Sequence, residues 1–169
     1  MKRVAVIALV SYLAFVLEFL LFNFWGDWGR WLKPELLVLV VIFFNLYLGI
    51  RFSIVAAVFC GLFKDASGAA PFGTYILVYI VGAYVTTLVR RYLYEPGSRF
   101  SRAVVTFFVV IGCFIVQALL TNMDHEVHWG QLIFYLLFPQ LLTTMIAATY
   151  VFAQLKNIST FFALKSYAT

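Results

Sequence analysis

Residues 61–73, Gly61-Leu62-Phe63-Lys64-Asp65-Ala66-Ser67-Gly68-Ala69-Ala70-Pro71-Phe72-Gly73, set an adjacent cation and anion, three glycines and a proline inside a chain otherwise suited to lipid. In hydrocarbon, irregular backbone and ionisable side chains survive only where other protein or a water-filled cavity satisfies them. The segment is therefore either a turn between two spans or a broken, partly re-entrant stretch that lines a site.

The surrounding composition fixes the class. With 64% hydrophobic and 11% charged residues, the chain has too little polar surface to wrap a soluble core. At about 20 residues per span, its 169 residues accommodate a bundle of six transmembrane helices with short loops, as one all-α domain over 1–169. Met1-Lys2-Arg3 imitates the start of a secretory signal, but the apolar run continues to Phe24 without a small-residue cleavage site. This reads as an uncleaved first span.

Apolar runs and turn formers place the spans near 4–24, 34–50, 52–67, 73–89, 103–121 and 131–155. The first loop carries Trp25, Trp28 and Trp31, residues that prefer the headgroup layer, together with Arg30 and Lys33. The run from Phe52 to Phe63 gives only about 18 Å of helix against a hydrocarbon core of about 30 Å, so the third span must continue through Lys64 and Asp65 towards Gly68. Glu95-Pro96-Gly97-Ser98 marks a turn, and residues 122–130 a polar loop.

Charge sets the expected orientation. With both termini cytoplasmic, the inner segments hold Lys2, Arg3, Arg51, Arg90, Arg91, Arg99, Arg102, Lys156 and Lys165, and only Arg30, Lys33 and Lys64 lie outside. The net charge of +5 then reflects topology and anionic inner-leaflet lipid, and no basic-aromatic motif points to nucleic acid.

Ser53, Ala57, Gly61 and Asp65 recur every fourth residue, as do Gln140, Thr144 and Ala148, and Gly82 with Thr86. Such stripes let helices approach closely. On the expected topology Glu18, Asp65, Gln117 and Gln140 fall in the outer halves of their helices, where they form either a polar layer around an outward cavity or ordinary interhelical hydrogen bonds. Lys64, beside Asp65 in sequence but on another helix face, is a poor partner for it unless the helix breaks.

Other chemistries lack their residues. Gly68 and Gly73 have phosphate-loop spacing, but Thr74 stands where a lysine is required. Asp124, His125, Glu126 and His128 read as a solvated loop, which leaves no metal site. Cys60 and Cys113 lie within spans as packing residues. Ser11, Ser53 and Ser67 have no histidine nearby to form a nucleophilic set. Neither an enzyme nor a cofactor is expected.

Pro34-Glu35-Leu36-Leu37 opening an apolar span, then Gly61-Leu62 with Asp65, Gly68, Pro71 and Gly73, then a span ended by Arg90-Arg91, resembles the MreD family of rod shape-determining proteins. Glu35 stands where that family more often has Asp or Asn. The resemblance implies a non-enzymatic component of the bacterial inner membrane that binds MreC. Through MreC it implies association with the MreB filament, RodA and a class B penicillin-binding protein in lateral peptidoglycan synthesis. Contact with MreC is expected at a small-residue helix face and at the 25–34 loop, where the three tryptophans supply aromatic anchors. It also implies a fold similar to the substrate-binding subunits of vitamin (ECF-type) transporters, which keeps a small-molecule carrier as the alternative. Ala5, Ala8 and Ala14 do not form the alanine-x-x-x-alanine coupling pattern of those subunits.

Overall fold

The computed structural model describes residues 2–24, 34–68, 71–93, 98–121 and 138–161. The described residues form six helices: α1 (Lys2–Phe24), α2 (Leu36–Leu48), α3 (Ile50–Ala66), α4 (Thr74–Leu93), α5 (Arg99–Thr121) and α6 (Phe138–Phe161). Windows in α1, α4 and α5 are long and apolar enough to cross a membrane.

The centre of the bundle is α2, LLVLVVIFFNLYL, whose residues are buried on every side except at Tyr47. It packs against α1, α3, α4, α5 and α6. A helix apolar all round belongs inside other protein. At 13 residues it measures about 20 Å, short of the roughly 30 Å a lipid-facing span needs. The shortfall is harmless because its backbone ends meet protein. Gly49 separates it from α3, and the Gly49 N–H still bonds back to the Asn45 carbonyl at 3.1 Å.

Contacts at the helix ends fix an up-and-down order. The Arg3 guanidinium lies 5.7 Å from the Phe52 ring, and Arg90 Nη1 donates to the Asn45 carbonyl at 2.9 Å. Phe152 meets Phe43. At the opposite end Gln140 reaches Glu35, and Gln117 Nε2 donates to the Tyr75 hydroxyl at 3.2 Å. Each helix thus runs antiparallel to the next, and α1 starts where α6 finishes. Arg3, Arg51, Arg90, Arg91 and Arg102 gather at that basic end, whereas Glu18, Glu35, Lys64 and Asp65 gather at the other.

The small-residue stripes are internal. Ser53, Ala57, Gly61 and Asp65 are all buried, as are Gly82, Thr86, Thr144 and Ala148. Their use is packing within this chain, so they offer no free face to a partner. At Gly61 the approach is closest, since a Cβ there would sit 2.5 Å from the Ile76 Cα. At Gly82 a Cβ would meet only the Cys113 Sγ, at 2.7 Å.

Backbone cannot yield as a side chain can. Gly61→Ala should therefore cost about 1–3 kcal/mol as overpacking against α4, read as a lowered unfolding temperature in detergent. Gly82→Ala combined with Cys113→Ala should stay close to the parent. Equal tolerance of both changes would refute the close α3–α4 approach.

Candidate functional site

The acidic end holds a cluster built from five helices. The Lys64 ammonium, on the last turn of α3, lies 3.3 Å from Glu18 Oε1 of α1 and 3.0 Å from Glu35 Oε1 at the start of α2. From α6, Gln140 Nε2 donates to the same Glu35 oxygen at 2.9 Å. The rings of Tyr75 and Tyr79, on α4, stand 4.8 Å and 5.7 Å from Nζ as cation–π partners. Lys64 and Glu18 are almost fully buried.

Lys64 points inward because of its register. It stands one turn beyond Cys60 and two beyond Ala56, both completely buried, so the stripe that packs α3 carries the ammonium into the bundle. Helix α3 continues unbroken through Lys64, at the acidic end of the bundle. A buried ammonium costs several kcal/mol in desolvation unless opposite charge and hydrogen bonds meet it. Two carboxylates and two aromatic faces do so.

The carboxylates also solve a backbone problem. The first N–H groups of a helix lack intrahelical acceptors, and a buried end has no water to supply them. Glu18 Oε2 accepts from the Leu37 N–H of α2 at 3.3 Å. Glu35 caps nothing with its own side chain, which is committed to Lys64, while its N–H donates to Thr144 Oγ1 at 3.2 Å. Asp65 does the same work for α4: Oδ1 accepts from the Tyr75 N–H at 3.0 Å, and Oδ2 from the N–H groups of Gly73 at 3.0 Å and Ile76 at 3.3 Å. Negative charge at a helix N-terminus also opposes the macrodipole favourably.

Among the described residues of 61–73, α3 runs to Ala66 and the Asp65 carboxylate folds back over the start of α4. Gly68 and Gly73, at φ +72° and +98°, take the left-handed backbone that lets the chain reverse tightly enough for Asp65 to reach α4. Pro71 accepts from the Thr74 N–H at 3.2 Å and closes the turn.

Glu18 and Gln140 thus meet through Glu35 and Lys64. Gln117 joins through Tyr75, whose ring faces Lys64, and Asp65 is occupied by α4. A small cavity lined by Glu35, Gln117 and Gln140 has a volume of about 10 Å³, room for one water at most. The Tyr79 hydroxyl and Ser11 Oγ are buried with no hydrogen-bond partner among the described residues. Trp25, Trp28, Arg30, Trp31 and Lys33 lie outside the described residues, as do Asp124, His125, Glu126 and His128. Sequence reasoning missed Lys64 as a member of the cluster and placed Glu35 in a motif without a partner. The four-residue spacing of Ala56, Cys60 and Lys64 was the available signal.

A family model described as rod shape-determining protein MreD matches residues 2–157, nearly the whole chain. No curated protein and no solved structure matches it. The expected likeness to vitamin-transporter subunits has no structural match behind it.

Removing one member of a buried ion cluster strands the others. Lys64→Met should destabilise the bundle by about 3–5 kcal/mol, measured by unfolding in detergent. Adding Glu18→Gln and Glu35→Gln should recover most of that loss. Failure of the neutral triple variant to exceed Lys64→Met in stability would refute an ion cluster. Independently, Asp65→Asn, which keeps an acceptor for α4, should retain far more stability than Asp65→Leu.

Proposed function

We propose a function from kinship: the chain belongs to the MreD family of rod shape-determining proteins, and acts as a non-enzymatic scaffold that holds another membrane protein of the cell-elongation machinery. Membership itself carries the role in rod shape determination, and the long apolar helices make the protein membrane-embedded. The direct partner is MreC, and through it the chain joins the MreB filament, RodA and a class B penicillin-binding protein. Its place is the bacterial inner membrane, with the arginine-rich end and both termini in the cytoplasm.

The observation that carries this reading is the family match over residues 2–157. The geometry supports it. The charged side chains of the acidic end are engaged in holding helices together, and the space beside them takes no more than a water. Among the described residues, what the bundle offers outward is apolar helix surface, including Leu9, Leu13, Leu17 and Leu20 along α1. Since the small-residue stripes are internal, MreC meets those outward faces.

Two measurements test the proposal. Co-expressed with MreC, the chain should purify as a complex, with photocrosslinks from positions 28 and 31 reaching MreC; separate elution of the two proteins would overturn the scaffold reading. In a background with Cys60→Ala and Cys113→Ala, an impermeant thiol reagent on intact cells should label His128→Cys and spare Ser98→Cys. The reverse pattern would invert the topology.

A further inference from the structure

At the basic end α5 and α6 part to leave a groove of about 490 Å³. Arg102, in the first turn of α5, stands at its mouth, and Ala103, Thr106, Met145 and Ala153 form its walls. The Thr106 hydroxyl donates to the Arg102 carbonyl at 2.8 Å, which turns it back into its own helix. The walls are mostly apolar, with Ala148, Phe152, Thr149 and Tyr150 completing them on α6, and Arg102 is the cation that lines the groove among the described residues.

The dimensions follow from helix geometry. Because α6 runs towards the basic end, Ala153 lies near the level of Arg102 while Met145 lies deeper, about 12 Å along the axis. That depth covers most of one leaflet's hydrocarbon, about 15 Å. The Arg102 guanidinium is steadied by one hydrogen bond, Nε to the Ser98 carbonyl at 3.4 Å. Its Nη groups meet no acceptor among the described residues. Exposed Tyr92 and Phe100 stand at the same end of the bundle, as aromatic residues do at the headgroup layer.

We propose that this groove binds an anionic phospholipid, with the phosphate on Arg102 and an acyl chain lying along α5 and α6 towards Met145. Three features select that occupant. A guanidinium at headgroup depth takes a phosphate in bidentate fashion, and basic pockets between transmembrane helices recognise acidic lipids. The groove deepens towards the middle of the bilayer, the direction in which a lipid tail runs from its headgroup. Its volume of about 490 Å³ gives room for an acyl chain. The site lies at the opposite end from the Lys64 cluster and depends on no family reading.

The test uses the full chain in detergent, titrated with phosphatidylglycerol or with phosphatidylcholine and read by native mass spectrometry. The parent should bind phosphatidylglycerol preferentially. Arg102→Gln should lower that affinity about fivefold, the equivalent of the roughly 1 kcal/mol a basic residue contributes near an anionic surface, and leave phosphatidylcholine unchanged. Ala153→Trp, at an exposed position, should reduce binding of both lipids by filling the groove. Arg91→Gln, at the same end but outside the groove, should leave binding at the parent level. Equal losses in Arg102→Gln and Arg91→Gln would mean diffuse attraction and overturn the site. A photocrosslinker at position 153 should capture lipid in native membranes; capture of a polypeptide would make the groove a helix-docking surface and refute the proposal.

Discussion

The Lys64 ammonium, held between Glu18 and Glu35, is the interaction on which the bundle turns. It ties α3 to α1 and to the start of α2, and through Gln140 on Glu35 it reaches α6. In water such a pair would contribute little. In a bilayer the alternative for each group is hydrocarbon, at about 3 kcal/mol per charge on insertion scales, so the cluster selects one arrangement of these helices from the many that apolar packing alone would tolerate. Leucine, valine and phenylalanine surfaces gain little by exchanging lipid for one another.

Helix ends impose the second constraint, and the same charges answer it. Helix α2 begins inside the protein and α4 at a half-buried turn, and the leading N–H groups of both need acceptors. Glu18 serves α2 and Asp65 serves α4, each from a different helix. Adjacent residues Lys64 and Asp65 therefore diverge, one towards the α1–α2 side and one towards α4, as a helical step of about 100° requires. The close approach at Gly61 and the left-handed backbone at Gly73 bring α4 within reach of the Asp65 carboxylate. A buried polar core of this kind leaves an apolar exterior.

Much of this was legible in the amino-acid order. The membrane class followed from composition, the inward role of Asp65 from its place on the Ser53–Gly61 stripe, and the gathering of Glu18 with Gln140 from their common depth. Lys64 was not, because a lysine beside a glycine-rich turn has the same appearance whether it is solvated or buried. Only the register of Ala56 and Cys60 distinguishes the two. The central position of α2 was equally hidden, since a uniformly apolar run has no periodicity to reveal a face. Gln117 shares the depth of the cluster but sits on α5, and tertiary geometry alone directs it to Tyr75.

The central claim is that Lys64 lies between two carboxylates inside the bilayer. Solid-state NMR on the chain in liposomes, with 15N at lysine Nζ and 13C at glutamate Cδ, measures that contact through dipolar dephasing. Lys64 Nζ lies 3.3 Å and 3.0 Å from its carboxylate oxygens on Glu18 and Glu35, so strong dephasing is expected in the parent and should vanish in Lys64→Met. Dephasing in the parent no greater than in Lys64→Met would contradict the account.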